Sequence, residues 1–318
     1  MCLKIIGIGK GIPEKSVSND DLAKLVDTSD EWIFSRTGIK NRHVCTHETL
    51  TDLSVIAAEQ AISKAGLHPR DIDLIIGSTI GGDYQTPSLA CCVSERLNIK
   101  CPAFDINAAC AGFIYGLEVV AGFLNRDKAK NVLIICAEMM SSHVDWGDRN
   151  TCVLFGDGAA ACVVTKGESL KYTHFASNTD IAMLNLPVGT GNSPFVTQKR
   201  ETRFLHMQGQ DVFKFAVTAV EREIKLALDA LKMSTDQIDY FILHQANKRI
   251  VDSVRNKLCQ PEEKFPVNIE HYGNLSSVSI PLLLCEMLED NRLKQGDLIF
   301  LSAFGAGMTV GSCVIEWT

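Results

Sequence analysis

The stretch AFDINAACAGFIYGLEVV (103–120) passes from a strand-like AFDIN through small residues into a helix that is apolar on one face. Cys110 therefore falls at or just before a helix N-terminus. Unpaired N–H groups and the positive end of the helix dipole favour a thiolate there, and the thiolate is the nucleophilic form of cysteine. Ala108, Ala109, Ala111 and Gly112 leave room for a substrate to approach the sulfur. The competing reading is a core cysteine in a tightly packed small-residue helix. Covalent catalysis at a thiol also needs partner groups. LHQANKRI (243–250) ends an apolar strand in His244, and IEHYGNLSSVS (269–279) offers His271 and Asn274 before a helix whose entry suits Ser276 and Ser277.

Positioning a Cys from one region against a His and an Asn from another requires a frame. Seven short runs rich in Ile, Val, Leu and Phe read as buried strands: 3–8, 73–80, 131–137, 153–165, 239–243, 297–303 and 310–317. Amphipathic stretches at 52–65, 87–97, 111–125, 210–232, 247–258 and 278–290 alternate with them and read as helices. This alternation predicts an α/β protein with strands buried on both faces. RDIDLII (70–76) returns as DQIDYFIL (236–243), NVLIICAE (131–138) as GDLIFLSAF (296–304), and FGDGAAACVV (155–164) as FGAGMTVGSCVI (304–315). The order is kept while the spacing contracts. Duplicated halves are expected, with extra residues in the first copy around 138–152 and functional loops at the carboxyl ends of the strands. The stretch 178–205 is the least patterned and reads as a surface loop.

Composition removes other classes. With 31 basic against 38 acidic residues, net charge −7 and pI near 5.6, the 318-residue chain lacks the balance of a non-specific nucleic-acid binder. Its 46% hydrophobic and 22% charged content is that of an ordered globular chain. No apolar run reaches the roughly 18 residues of a membrane helix, and Gly and Lys interrupt the N-terminal apolar stretch before a secretory core forms. A soluble cytoplasmic protein is expected. The 12 cysteines lie mostly in apolar runs, and no C-x-x-C is present, so they read as small buried hydrophobes in a reducing compartment. HVCTH (His43, Cys45, His47) offers three ligand types on an extended segment but no fourth, which disfavours structural zinc. No metal is expected.

DTSDEWIFSRTGIKNR (27–42), AACAGF (108–113), DRNTCVLFGDGAA (148–160), HQANKRI (244–250), HYGNLSS (271–277) and AFGAGMTVGS (303–312) together resemble the β-ketoacyl-acyl carrier protein synthase III family of thiolase-like condensing enzymes. Six motifs in order span essentially the whole chain. The resemblance implies a thiolase-like α/β fold of two duplicated halves, 1–168 and 169–318, in a layered αβαβα core with pseudo-twofold symmetry. It implies an acyltransferase that moves an acyl group from acyl-coenzyme A to Cys110 and condenses it, with decarboxylation, with malonyl-acyl carrier protein. The product would be 3-oxoacyl-acyl carrier protein, at the start of type II fatty acid synthesis. The alternative is a Cys-His-Asn relative of secondary metabolism. A catalytically silent acyl-binding subunit is disfavoured because all three triad types are present.

Carried over residue by residue, Cys110 is the nucleophile, and His244 with Asn274 stabilises the enolate. The backbone N–H groups of Cys110 and Gly305 form the oxyanion hole. Trp32, Arg36, Thr37, Arg149, Met207, Gly209, Phe213, Ala216 and Asn247 are implied for coenzyme A. Thr86, Leu154 and Phe155 are implied for the acyl pocket, with Thr86 standing where some members carry a phenylalanine that crosses a dimer. Lys214, Lys248, Arg249, Arg255 and Lys257 are candidates for docking an acidic carrier protein; the competing reading is a solvated helix face. No cofactor is implied, coenzyme A thioester being a substrate, and the expected assembly is a homodimer.

Overall fold

The computed structural model describes residues 3–201 and 204–318. Two sheets carry the frame. The first contains β1 (Lys4–Gly11), β2 (Leu74–Ser78), β3 (Ala103–Ile106), β4 (Asn131–Met139) and β5 (Asp157–Thr165), in the order β1-β5-β4-β2-β3. The second contains β6 (Leu170–Ser177), β7 (Tyr240–Leu243), β8 (Leu298–Gly305) and β9 (Thr309–Glu316), in the order β6-β9-β8-β7. In each sheet the first strand pairs antiparallel with the second, the second antiparallel with the third, and the third parallel with the fourth. The repeated sequence pairs thus fall on equivalent strands: β2 with β7, β4 with β8, and β5 with β9.

The principal helices among the described residues are α1 (Asp30–Thr37), α2 (Leu50–Lys64), α3 (Leu89–Arg96), α4 (Gly112–Asn125), α5 (Gly209–Leu231), α6 (Lys248–Lys257) and α7 (Ser279–Glu289), of which α2 to α7 pack on the sheets and α1 belongs to a separate cluster. Local chemistry sets several of their ends. Thr49 and Asp52 form a reciprocal capping box on α2, and Asn247 caps α6 through the Arg249 N–H. α4 and α7 are buried between the sheets, where Phe113, Leu117, Leu283 and Met287 join residues of both in one core. α2 and α3 cover the outer face of the first sheet, and α5 and α6 that of the second. Five layers result, αβαβα, as expected.

The structure differs from the sequence reading at several edges. The predicted strand 153–165 begins only at Asp157, because Cys152, Val153 and Phe155 are buried in a separate cluster with Ile33 and Ile39, in turns anchored by Asp148. The strand β6 was missed: its residues are mostly half-buried and give no apolar run. Helix α1, also missed, buries only Ile33 and Thr37. The connection from β4 to β5 spans 140–156, against three residues between β8 and β9, so the extra length of the first copy lies there.

Candidate active site

Three tight turns at strand ends converge on one point. Cys110 lies in the single 3-10 turn Ala109–Ala111 that precedes α4. Ala109 is held in the left-handed region at φ 46°, with its N–H donating to Asn107 Oδ1 at 3.1 Å. Gly112 opens α4 against the turn at 276–278, and a Cβ there would overlap the Ser78 hydroxyl. Gly305 ends β8 so close to this corner that a Cβ would stand 2.6 Å from the Cys110 amide nitrogen. His244 follows β7, with its N–H donating to Ser302 O of the neighbouring strand at 2.9 Å and its ring edge-on to Phe304 at 5.3 Å.

Asn274 is tied to the segment that leads into β5. Its N–H donates to Leu154 O at 2.8 Å, and its carbonyl accepts from Gly156 N–H at 3.2 Å. The side-chain Oδ1 accepts from the Ser276 N–H at 2.9 Å, which leaves the Nδ2 hydrogens to donate into the site. The oxygen and nitrogen of the amide are thereby assigned by the hydrogen bond.

Burial and the helix terminus act on the Cys110 sulfur in opposite directions. Burial pushes the Cys110 thiol up to about 12; a hydrogen bond with Ser276 opposes this, and the charge of Glu138 adds to it. The N-terminus of α4 acts in the opposite direction and favours the thiolate. Burial also holds His244 down at about 3, so the imidazole is neutral. Its Nδ1 has no hydrogen-bond partner among the described residues.

A cavity of about 990 Å³ leads from this point to the surface. Cys110, His244, Asn274, Gly305, Leu154 and Phe155 line it, as do Trp32, Arg36, Thr37, Arg149, Met207, Gly209, Phe213 and Asn247. At its mouth the Arg36 and Arg149 guanidinium carbons stand 4.6 and 5.0 Å from the Trp32 ring centre, forming an aromatic and cationic cluster suited to a phosphate-bearing nucleotide. The Thr37 hydroxyl, however, is committed to the end of α1, donating to Ile33 O and accepting from Ile39 N–H. The Asn247 amide is equally engaged, donating to Arg36 O and accepting from Arg249 N–H.

Other expectations fall away from the cavity. Ala216 is fully buried in the core between α5 and the second sheet and does not line it. Thr86 is exposed and outside the cavity of its own chain, and His271 is exposed beyond Asn274. Lys248 pairs with Asp252 at 2.8 Å and Lys257 with Glu221 at 2.8 Å, while Arg255 lies 3.8 Å from both Asp252 and Glu262. Lys214 lines the mouth but pairs with Asp211 at 3.3 Å. Arg249 also lines the mouth, over Phe213 at 5.7 Å, and makes no ion pair among the described residues.

The sequence reading missed several lining side chains. Leu184, Leu186, Val188 and Leu205 form one cavity wall, so 178–205 is not merely a surface loop (Thr202 and Arg203 lie outside the described residues). Their apolar character in an unpatterned stretch was the available signal. Ile80, Met140 and Val153 add to the apolar lining. His43 meets the Pro13 carbonyl instead of a metal-ligand set. Among the described residues no cluster of three His, Cys, Asp or Glu could hold a metal ion.

Two family signatures match the chain, 3-oxoacyl-[acyl-carrier-protein] synthase III over residues 104–180 and the C-terminal part of the same family over 228–317. The chain is 44% identical to β-ketoacyl-[acyl-carrier-protein] synthase III of Natranaerobius thermophilus, over 99% of both chains. It is 42% identical to the protein of that name from Aquifex aeolicus over the full length of both. A crystal structure of 3-oxoacyl-[acyl-carrier-protein] synthase III from Aquifex aeolicus superposes with a TM-score of 0.92 at 41% identity, covering 99% of this chain and all of the other.

Proposed function

Because the chain belongs to the 3-oxoacyl-[acyl-carrier-protein] synthase III family, we propose that Cys110, His244 and Asn274 carry its reaction. The enzyme is an acyl-transferring, decarboxylating condensing enzyme that initiates fatty acid synthesis, with acyl-coenzyme A and malonyl-acyl carrier protein as substrates. The observation that carries the residue assignment is the meeting of these three side chains at one end of a single cavity whose other end is the Trp32–Arg36–Arg149 cluster.

In the proposed sequence the Cys110 sulfur attacks the thioester carbon of acyl-coenzyme A. The amides of Cys110 and Gly305 take the oxyanion, coenzyme A leaves as its thiolate, and the acyl group remains on sulfur. Malonyl-acyl carrier protein then enters and loses carbon dioxide. Negative charge moves onto its thioester oxygen, where neutral His244 and the Asn274 Nδ2 act as donors. The carbanion attacks the acyl-enzyme and releases the 3-oxoacyl product. No cofactor takes part, coenzyme A arriving only as the substrate thioester. Unpaired Arg249, at the cavity mouth, is the favoured contact for the acidic carrier protein, ahead of Lys214.

The same proposal includes two halves divided at 168/169, the first supplying the nucleophile and the second the donors; the matched strand orders of the two sheets support it. It also includes a homodimer, supported by β3. Among the described residues this strand pairs with a neighbouring strand on one side only, its other edge meeting just the Cys91 thiol at Ala103 O, with Phe104 and Ile106 half-buried. A cytoplasmic setting accords with the free cysteines. Among the described residues no helix is long and apolar enough to cross a membrane.

The test is a product assay with acetyl-coenzyme A and malonyl-acyl carrier protein. It should give 3-oxobutyryl-acyl carrier protein, carbon dioxide and free coenzyme A in equal amounts. Acyl transfer to some other nucleophile with no carrier-bound 3-oxo product would overturn the reading in favour of secondary metabolism.

A further inference from the structure

Asn274 can act as a donor only if its amide nitrogen, and not its oxygen, faces the substrate. One bond decides this: the Ser276 N–H donates to Asn274 Oδ1 at 2.9 Å. That N–H belongs to the short turn Ser276–Val278, in which Ser276 sits in the left-handed region at φ 51°. A non-glycine residue persists there only where its surroundings over-determine it. Part of those surroundings comes from the first sheet. Glu138, next to last in β4, is fully buried. Its Oε1 accepts from the Ser276 and Ser277 hydroxyls, each at 3.0 Å, and its Oε2 from the Ile80 N–H at 3.1 Å. On its other side the turn abuts α4, where a Cβ at Gly112 would stand 3.3 Å from Ser277 Cβ.

A buried carboxylate is a costly way to fill space. Its removal from water is offset only by the bonds it accepts, and an apolar side chain of similar volume packs without that cost. What the carboxylate adds is direction. Two of its three donors are consecutive hydroxyls in the turn that orients Asn274, and they come from the other half of the chain.

We propose that Glu138 is a positioning residue for decarboxylation. It holds the Ser276–Val278 turn, the turn aims the Ser276 N–H, and that N–H keeps the Asn274 nitrogen directed at the malonyl thioester. Glu138 lies outside the cavity lining and acts only through Ser276. Without it, two buried hydroxyls lose their acceptor, Ser276 relaxes from the left-handed region, and the Asn274 amide is free to rotate. An amide oxygen turned toward the substrate would oppose the charge that develops on the thioester oxygen. The loss therefore falls on decarboxylation and not on acyl loading.

The inference rests on Asn274 being a donor to the enolate, and a double-mutant cycle separates the two. Carbon dioxide release from malonyl-acyl carrier protein and acyl loading from acetyl-coenzyme A are measured in the wild type, Glu138→Ala, Asn274→Ala and the double variant. Glu138→Ala should slow decarboxylation roughly tenfold or more and loading less than about threefold. Glu138→Gln, whose amide oxygen can accept the same hydroxyls, should restore decarboxylation to within about threefold of the wild type. In the Asn274→Ala background, Glu138→Ala should cost less than about twofold, a result that general loosening of the fold would not give. The same loss in both backgrounds, or loading slowed as much as decarboxylation, overturns the positioning role. Should Glu138→Ala fail to fold, Ser277→Ala takes its place in the cycle, since it removes one donor to the same oxygen from outside the cavity. A decarboxylation loss that vanishes with Asn274→Ala supports the role; an unchanged rate, or a loss indifferent to Asn274, overturns it. Wild-type decarboxylation in Asn274→Ala alone overturns the underlying assignment instead.

Discussion

At the floor of the cavity stand two uncharged side chains, His244 and Asn274, not an ion pair. Burial holds His244 down at about 3, so the imidazole is neutral. The Asn274 amide is locked with nitrogen toward the site by the Ser276 N–H. A preorganised donor of this kind contributes about 3 kcal/mol to a developing oxyanion, on the order of a hundredfold in rate. His244→Ala and Asn274→Ala should each slow malonyl decarboxylation about a hundredfold or more while slowing Cys110 loading less than tenfold, read by carbon dioxide release and by coenzyme A release. Equal losses in both steps would mean that these side chains serve the sulfur. Cys110 and His244 were marked in the sequence as candidates by their place just beyond apolar strands, whereas Asn274, which follows the short helix Ile269–Tyr272, was marked only by its motif. Glu138 ends such a strand too, in NVLIICAE, but only the structure shows it reaching back toward Ser276.

At the scale of elements, the site depends on how closely backbone segments approach. Gly305 has extended backbone that any residue can adopt, so its need for glycine is steric: a Cβ would press on the Cys110 amide and on Ala109. Overpacking of this kind costs about 1–3 kcal/mol in stability and displaces the oxyanion donors. Gly305→Ala should retain a cooperative melt with a modestly lowered Tm, yet load acyl groups at least a hundredfold more slowly. Near wild-type loading would show that the Gly305 amide has no part in the oxyanion hole. Hydrophobic periodicity revealed most strands and six of the seven principal helices, because those elements bury long apolar faces. It failed where burial and secondary structure part company. CVLF is buried but turned, β6 is an edge strand without an apolar run, and the wall at 184–188 mixes Leu184, Leu186 and Val188 with Asn185 and shows no regular period.

On the scale of the whole molecule, two sheets of matching strand order flank a common pair of central helices, α4 and α7, with the Cys110 turn beyond β3 of the first sheet, His244 beyond β7 of the second, and Asn274 bridged to Phe155. The internal repeats point to this arrangement. What lies across the open β3 edge they could not reveal, since a single chain's sequence carries no record of its partner's position. Thr86 is the residue most affected. It is exposed here, and its place in the proposed dimer would be at the acyl end of the partner's cavity. Each methylene accommodated there is worth about 0.8 kcal/mol, near fourfold in binding. Thr86→Phe should therefore suppress loading of acyl-coenzyme A species longer than acetyl while sparing acetyl, measured over a chain-length panel. An unaltered profile would show that the cavity is closed by its own Met140 and Val153.

The central claim, that one thiol accepts the acyl group and surrenders it to malonyl-acyl carrier protein, is tested most directly by mapping the acyl group on the intact protein. Peptide mass analysis after incubation with acetyl-coenzyme A should place a single acetyl group on Cys110, and a chase with malonyl-acyl carrier protein should remove it as 3-oxobutyryl-acyl carrier protein. Cys110→Ser should stay unmodified under the same conditions. Acetyl on Cys91, Cys92 or Cys152, or acetyl on Cys110 that survives the chase, would contradict the account.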